Sequence, residues 1–353
     1  MSFTPGVIPG EPSSVTDRPG RSGHGGAFPN ARSMFVTLGL AIVRERPWFL
    51  FVSLLILIFV LAISVNGFFT IYNMLNMSKY SVEIGLLALA ETLVITSGGG
   101  GIDLSVGSML SLVCVIIGHL AIKLGINIWA AAFAGIIAGF LLGCINGILI
   151  STVRIPPFIV TLGTMYAYRS LALVITGGIP ISGFPPSYYA LGQGSIMGIP
   201  FQVLIIFIPV IIILNYTLTR TLFGRYLYGV GSNELAAKFA AINIKKVRVW
   251  VYILSGLLAG IAAVVMTSRV ATAKPDAGFG YELQAITIAV LGGTSVAGGR
   301  GTIAGTVLAA LTLTVLYNGL DLAGIHPIWQ VGTLGLVLII SVLLNNWLLR
   351  SKE

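Results

Sequence analysis

The sequence predicts an all-α integral membrane protein, a polytopic bundle of about ten transmembrane helices with two glycine-broken segments. Three observations carry that expectation. Of 353 residues, 56% are hydrophobic and 9% charged, where a soluble domain carries about 25% charged residues. The apolar residues gather in repeated runs of about twenty, the length that crosses ~30 Å of hydrocarbon. The 20 basic residues behind the net charge of +9 are scattered between those runs, not collected into the stripe that binds nucleic acid. A soluble globule and a nucleic-acid binder are both excluded, and no length is left for a large soluble domain.

In chain order, residues 1–33 are rich in Pro, Gly and Ser and read as disordered. They open an N-terminal cytoplasmic segment, 1–46, with no apolar stretch suited to a cleavable signal peptide. The membrane domain is expected over 47–348, with spans near 48–66, 82–97, 104–122, 128–150, 156–176, 201–218, 249–267, 283–297, 302–320 and 328–347. Residues 349–353 are expected as a cytoplasmic C-terminal tail. Because Lys and Arg near span ends are retained in the cytoplasm, orientation follows from the bases. With the N-terminus inside, 15 of the 20 fall on the inner side, six of them in the linker after span 6 (Arg220, Arg225, Lys238, Lys245, Lys246 and Arg248). Only Lys79, Lys123, Arg169, Arg269 and Lys274 do not. Ten spans with both termini cytoplasmic are self-consistent.

Between spans 2 and 3 the chain reads ITSGGGGIDLSVGSML, Ile95 to Leu110. Each glycine costs about 1 kcal/mol relative to alanine inside a helix, so Gly98–Gly101 break the helix. Broken backbone at membrane depth survives only where protein or a wet cavity satisfies it. Asp103 and Ser105 follow the break, placed either to cap the new helix or to line a translocation path. A second break, VLGGTSVAGGRGTIAG from Val290 to Gly305, sets Gly292–Gly293 against Gly100–Gly101, and spans 2 and 8 are expected to be the two shortest. Paired short, Gly-interrupted spans point to a transport site.

Span 4 repeats Gly135, Gly139, Gly143 and Gly147 at intervals of four, a face that lets another backbone approach closely; Asn146 beside it bonds a neighbouring helix or a substrate. Glu91 in span 2 and Arg169 in span 5 cost ~2.5–3.5 kcal/mol each in lipid and so face the bundle interior or a wet cavity. The cytoplasmic linker, 219–248, holds SNELAAKFAAINI, with Ser232 and Asn233 as helix-start residues and Asn243 closing a helix of about ten residues. It either docks on a partner or lies on anionic lipid. Within it Glu234 and Lys238 are spaced as a helical i,i+4 pair. Cys114 and Cys144 sit in apolar runs as packing residues, and His24, His119 and His326 have no metal spacing. The chain contains no Gly-Lys dipeptide, hence no phosphate loop of that kind, and nothing reads as a catalytic nucleophile or metal centre.

Five stretches together resemble the permease subunits of bacterial sugar-importing ABC transporters, the ribose/xylose/rhamnose type. They are GIDLSVG (101–107), RIPPFIVTLGT (154–164), GSNELAA (231–237), GYELQAI (280–286) and VLGGTS (290–295). The likeness covers roughly residues 45–348. The glycine run is longer than the two glycines usual in that family, and Ala241 stands where relatives often carry Gly. The resemblance implies a multi-pass inner-membrane permease that works by alternating access and binds no cofactor itself, with ATP and Mg on a separate ATP-binding cassette ATPase subunit. It also implies a periplasmic sugar-binding protein, a second permease copy or paralogue, and a monosaccharide substrate. Coupling to the ATPase then falls on Ser232, Asn233, Glu234, Ala237, Ala240 and Ile242. The translocation path is expected among Glu91, Gly100, Gly101, Asp103, Ser105, Asn146, Arg169, Gly292 and Gly293. Two alternatives stand beside it: an ion-coupled secondary transporter using Glu91 and Asp103, and an ABC permease for nucleosides or branched-chain amino acids.

Overall fold

The computed structural model describes residues 46–350, and within them thirteen helices. The expected N-terminal tail up to residue 45 and residues 351–353 lie outside the described residues. In order the helices are α1 (Arg46–Ser64), α2 (Ile71–Thr96), α3 (Val106–Gly118, running on through a π turn His119–Lys123), α4 (Ile128–Ser151), α5 (Pro157–Thr176) and α6 (Pro186–Gln193). A π turn, Val203–Phe207, leads into α7 (Ile208–Arg220), followed by α8 (Leu222–Ser232), α9 (Glu234–Phe239), α10 (Ile244–Val270), α11 (Tyr281–Leu291), α12 (Ile303–Leu322) and α13 (Pro327–Arg350). Each of the ten expected spans coincides with a helix, and six are long and apolar enough by themselves to cross a membrane. Four two-residue strands complete the structure; β1 (Ile181–Ser182) pairs antiparallel with β4 (Thr272–Ala273), and β2 (Ser195–Ile196) with β3 (Ile199–Pro200).

Helix starts follow local chemistry. The Asn127 side chain accepts from the Trp129 and Ala130 amides at the head of α4, Thr302 from Gly305 in α12, and Asn243 from Lys246 in α10. Pro157 stands in the first turn of α5, where its missing N–H costs nothing.

Two spans differ from expectation. α2 is 26 residues long, not one of the two shortest. Its first half is polar, and three of its polar groups are met from afar: Asn73 exchanges two amide hydrogen bonds with Asn318 at 2.7 and 2.9 Å, Lys79 donates to the Gln193 carbonyl at 3.0 Å, and Glu83 pairs with Arg269 at 2.6 Å. α11 is indeed short, 11 residues or about 16 Å, because the chain re-enters the bundle before it. Ala273 lies against Gly118 of α3, and Gly278 against Gly107, with the Gly278 amide donating to the Ser111 hydroxyl at 2.9 Å. The segment therefore descends α3 by roughly three turns before α11 begins.

α10 lies at the centre, packed against α2, α3, α4 and α6. The α4 glycine stripe makes this possible. A Cβ at Gly139 would fall 2.5 Å from the Gly256 carbonyl, and at Gly143 it would meet Gly256 and the Tyr252 carbonyl, so the two backbones touch. Side-to-side contacts also sort the junctions into two faces. The chain just after α2, the end of α8 and the chain after α11 meet one another, through Gly98, Gly231 and Gly298. On the opposite face the ends following α5 and α10 are joined by β1 and β4, and the Asn73–Asn318 pair sits at the head of α2 and tail of α12.

Candidate functional site

Four expected site residues converge. Asp103, Ser105, Asn146 and Glu91 are each fully buried. Asp103 Oδ1 accepts from the Ser105 amide (3.0 Å) and hydroxyl (2.6 Å), and Oδ2 from the Ser255 hydroxyl of α10 (2.7 Å). The Asn146 amide of α4 donates to Ser105 Oγ at 2.8 Å and its carbonyl accepts from Tyr168 of α5 at 3.3 Å. The Asp103 amide points at Glu91 Oε2 of α2, 3.4 Å away, while Glu91 Oε1 has no hydrogen-bond partner among the described residues. Thr161 of α5 donates to the Ile102 carbonyl at 3.1 Å. Helices α2, α4, α5 and α10 thus satisfy the broken segment that precedes α3, as non-helical backbone at membrane depth requires. Asp103 is not itself the N-cap, a position Ser105 holds; it folds the turn leading into that cap. Two carboxyl groups sharing a fully buried network, with no basic partner among the described residues, are an expensive arrangement.

The glycine segments meet at a second point. Gly98, Gly99 and Gly100 all have positive φ, and a Cβ on Gly98 would lie 2.8 Å from Gly231 Cα at the end of α8. A Cβ on Gly298 would lie 2.5 Å from Gly98 Cα, and one on Gly231 would collide with the Thr96 carbonyl. The Gly299 amide closes the joint by donating to that carbonyl at 2.9 Å, and Tyr228 of α8 donates to the Gly301 carbonyl at 2.7 Å. Gly100, by contrast, has nothing within 4 Å. Among the expected pairs, Gly101 presses on the Val94 carbonyl and Gly292 on the first turn of α12, while Gly293 (φ +93) turns the chain. Both broken segments and the linker therefore touch through hydrogen-sized side chains.

The family model described as branched-chain amino acid transport system / permease component matches residues 73–342. The chain belongs to this permease family. It is 40% identical over 298 residues to the ribose import permease protein of Bacillus subtilis (strain 168), covering 84% of this chain and 91% of that one. Identity is 38% to the ribose import permease protein of Escherichia coli (strain K12), over 84% and 92% of the two chains, and 33% to the fructose import permease protein of Rhizobium meliloti, over 80% and 79%. No solved structure matches. The permease is thus a transport component and not an enzyme.

The permease's linker differs from expectation in three details. α9 has six residues rather than about ten, with Asn233 as N-cap and Ser232 closing α8 instead. It ends in a Schellman motif, where the Ile242 amide bonds the Ala237 carbonyl and the Ala241 amide bonds that of Lys238. Ala241 occupies the left-handed position at φ +56, the place where glycine is favoured. Glu234 pairs not with Lys238 but with Arg248 of α10, at 2.6 and 3.4 Å, and the Arg248 guanidinium lies against Gly99. Ala237 is 4% exposed and faces the permease's own core with the half-buried Ile242. Leu235, Phe239 and Ala240 face outward.

Arg169 does not join the Asp103 network. It pairs with Glu282 of α11 at 3.2 Å and stacks over Phe279, 4.8 Å from the ring centroid. The re-entrant segment is thereby tied to α5. Sequence reasoning missed Glu282, Glu83 and the buried ion pair Glu83–Arg269, although the rule that flagged Glu91, an acid in an apolar run, applies equally to Glu83. Tyr168 and Ser255 carried no such signal. Among the described residues no cluster of His, Cys, Asp or Glu is placed to hold a metal ion.

Proposed function

We propose that this permease translocates a monosaccharide as the membrane subunit of an ATP-binding cassette importer, by alternating access driven by a separate ATPase subunit that carries ATP and Mg. The single observation that supports the reading is the glycine joint: the end of α8, one residue before the α9 N-cap, rests on both broken segments. A push on α9 is passed to α2 and to the α11–α12 loop without an intervening side chain. The relatives' names, importers of ribose, fructose and D-allose, support a sugar of that class. The face carrying α9 is cytoplasmic on the count of bases, and a periplasmic sugar-binding protein meets the face of β1 and β4. A second permease copy or paralogue completes the membrane unit.

On this reading the ATPase meets Leu235 and Phe239, which are 69% and 90% exposed. A few well-packed residues carry most of an interface's energy, and these are the large apolar side chains that α9 exposes. Leu235→Ser with Phe239→Ala is expected to leave membrane abundance intact and cut co-purification of the ATPase subunit at least tenfold. Ala237→Trp is expected to lower abundance itself, because the indole enters the permease's core. Full ATPase recovery with the double variant sinks the docking role of α9.

Orientation has its own test. Reporter fusions after Lys123, near Gly183 and after Lys274 should read periplasmic, and a fusion near Asn233 cytoplasmic; a cytoplasmic signal at Gly183 reverses the assignment.

A second reading, an ion-coupled carrier, draws support from the buried carboxyl groups of Glu91 and Asp103, which form no ion pair among the described residues, and from Glu91 Oε1, which has no hydrogen-bond partner there. Sugar uptake into proteoliposomes decides between them: dependence on ATP and the ATPase subunit supports the importer, and uptake driven by an ion gradient alone supports the carrier.

A further inference from the structure

On the α9 face, a cavity of about 740 Å³ opens between α9, the start of α10 and the α4–α5 turn. Its wall carries four bases, Arg154, Lys238, Lys245 and Arg248, against one acid, Glu234. Arg248 already neutralises Glu234. Arg154, Lys238 and Lys245 have no carboxylate partner among the described residues. Two helix N-termini add to the positive field, since Pro156–Pro157 at the head of α5 and Asn243–Ile244 at the head of α10 also line the cavity. Ser151, on the same wall and 6% exposed, has a buried hydroxyl with no partner. A roomy cavity with this lining favours an anion that brings hydrogen-bond acceptors.

The apolar part of the lining narrows the anion. Ile150, Ile155 and Ile242 stand beside the bases. Next to them, Val153 on the α4–α5 turn and Phe158 and Ile159 in the first turn of α5 are more than half exposed, pointing apolar surface outward where α4 and α5 cross the membrane. A soluble phosphate gains nothing from that continuity, whereas a phospholipid sets its headgroup among the bases and its acyl chains along the outer surface. Basic pockets between spans at the membrane surface suit anionic headgroups. We infer that this cavity is a binding site for the phosphate headgroup of an anionic phospholipid, seated between α9 and the bundle. The bound lipid then touches Lys238 of α9 and Arg248, whose guanidinium rests on the glycine joint, so its presence sets the position of the linker.

The test uses the full purified chain, delipidated in neutral detergent and exposed to equal amounts of palmitoyl-oleoyl phosphatidylglycerol and palmitoyl-oleoyl phosphatidylcholine. Retained lipid is counted by native mass spectrometry. Each base near a membrane surface contributes about a factor of five to anionic lipid binding. The wild type should therefore favour the anionic lipid by roughly a hundredfold, and Arg154→Gln/Lys238→Gln/Lys245→Gln should bring the preference to within about twofold. Arg220→Gln/Arg225→Gln/Arg300→Gln removes the same charge outside the cavity and should keep the preference. An unfolding temperature in neutral detergent within a few degrees of wild type confirms that each variant is folded. Equal loss in both triple variants overturns the site in favour of diffuse surface attraction. Full displacement of the lipid by millimolar glycerol phosphate overturns it in favour of a small-anion site. Stoichiometric displacement by the ATPase subunit overturns it in favour of a protein contact. The ATPase docking reading is scored separately, by the Leu235 and Phe239 variants.

Discussion

Gly231→Val is expected to abolish transport and to lower the thermal stability of the permease sharply. The first atom of the new side chain lands on the Thr96 carbonyl and 2.5 Å from the Gly299 amide nitrogen, both backbone atoms that cannot swing aside as a flexible side chain would. To admit it, α8 must lift from α2, and the 2.9 Å hydrogen bond from Gly299 to Thr96 breaks. Overpacking costs about 1–3 kcal/mol and an unsatisfied buried amide about 1–3 kcal/mol more, so the loss is roughly 2–6 kcal/mol, a large share of the stability of most proteins. Gly100→Ala supplies the contrast. It sits in the adjacent break with open space around it, and only its left-handed backbone, φ +72, opposes a side chain, at about 1–2 kcal/mol. Unfolding temperature in detergent and sugar uptake in reconstituted vesicles measure both variants. A Gly231→Val permease that unfolds and transports like wild type means that the three segments do not bear on one another.

That contrast marks where the sequence stops informing. Two glycine-rich breaks are visible in one dimension because glycine is costly in a helix, but which glycine is pinched depends on what lies opposite. Gly98 and Gly231 are pinched by each other and Gly100 by nothing. The helices at the expected spans were legible because crossing hydrocarbon demands apolar length. The head of α2 was not, since Asn73, Lys79 and Glu83 become tolerable only through Asn318, Gln193 and Arg269, partners more than a hundred residues away. The same holds at α9, where helical spacing pairs Glu234 with Lys238 while the fold supplies a bidentate arginine from α10. Glu91, Asp103, Ser105 and Asn146 stood out individually as polar residues in apolar surroundings. Their convergence with Ser255 and Tyr168 required knowing that α10 runs through the middle of the bundle.

The two roles left open for Asp103, organiser of the break or direct participant in the path, separate in a pair of substitutions. Asp103→Asn keeps an acceptor for the Ser105 amide and hydroxyl and offers Ser255 a donor in place of the acceptor; a hydroxyl accommodates either. Asp103→Ala removes both acceptors, leaving three buried donors, the Ser105 amide and hydroxyl and the Ser255 hydroxyl, without that partner. Either change deletes the carboxyl charge beside Glu91, so any relief of repulsion is common to both and cancels in the comparison. What remains is the hydrogen bonding, at about 1–3 kcal/mol for each buried donor left unsatisfied. Asp103→Ala should therefore be less stable than Asp103→Asn by roughly 3–9 kcal/mol, read as the difference in unfolding temperature. Because every oxygen of Asp103 is fully buried and already committed to a donor inside the chain, Asp103→Asn should also import sugar at close to the wild-type rate. A folded Asp103→Asn permease that no longer transports would show that the charge itself is used, and the residue would move from the scaffold of the break into the path.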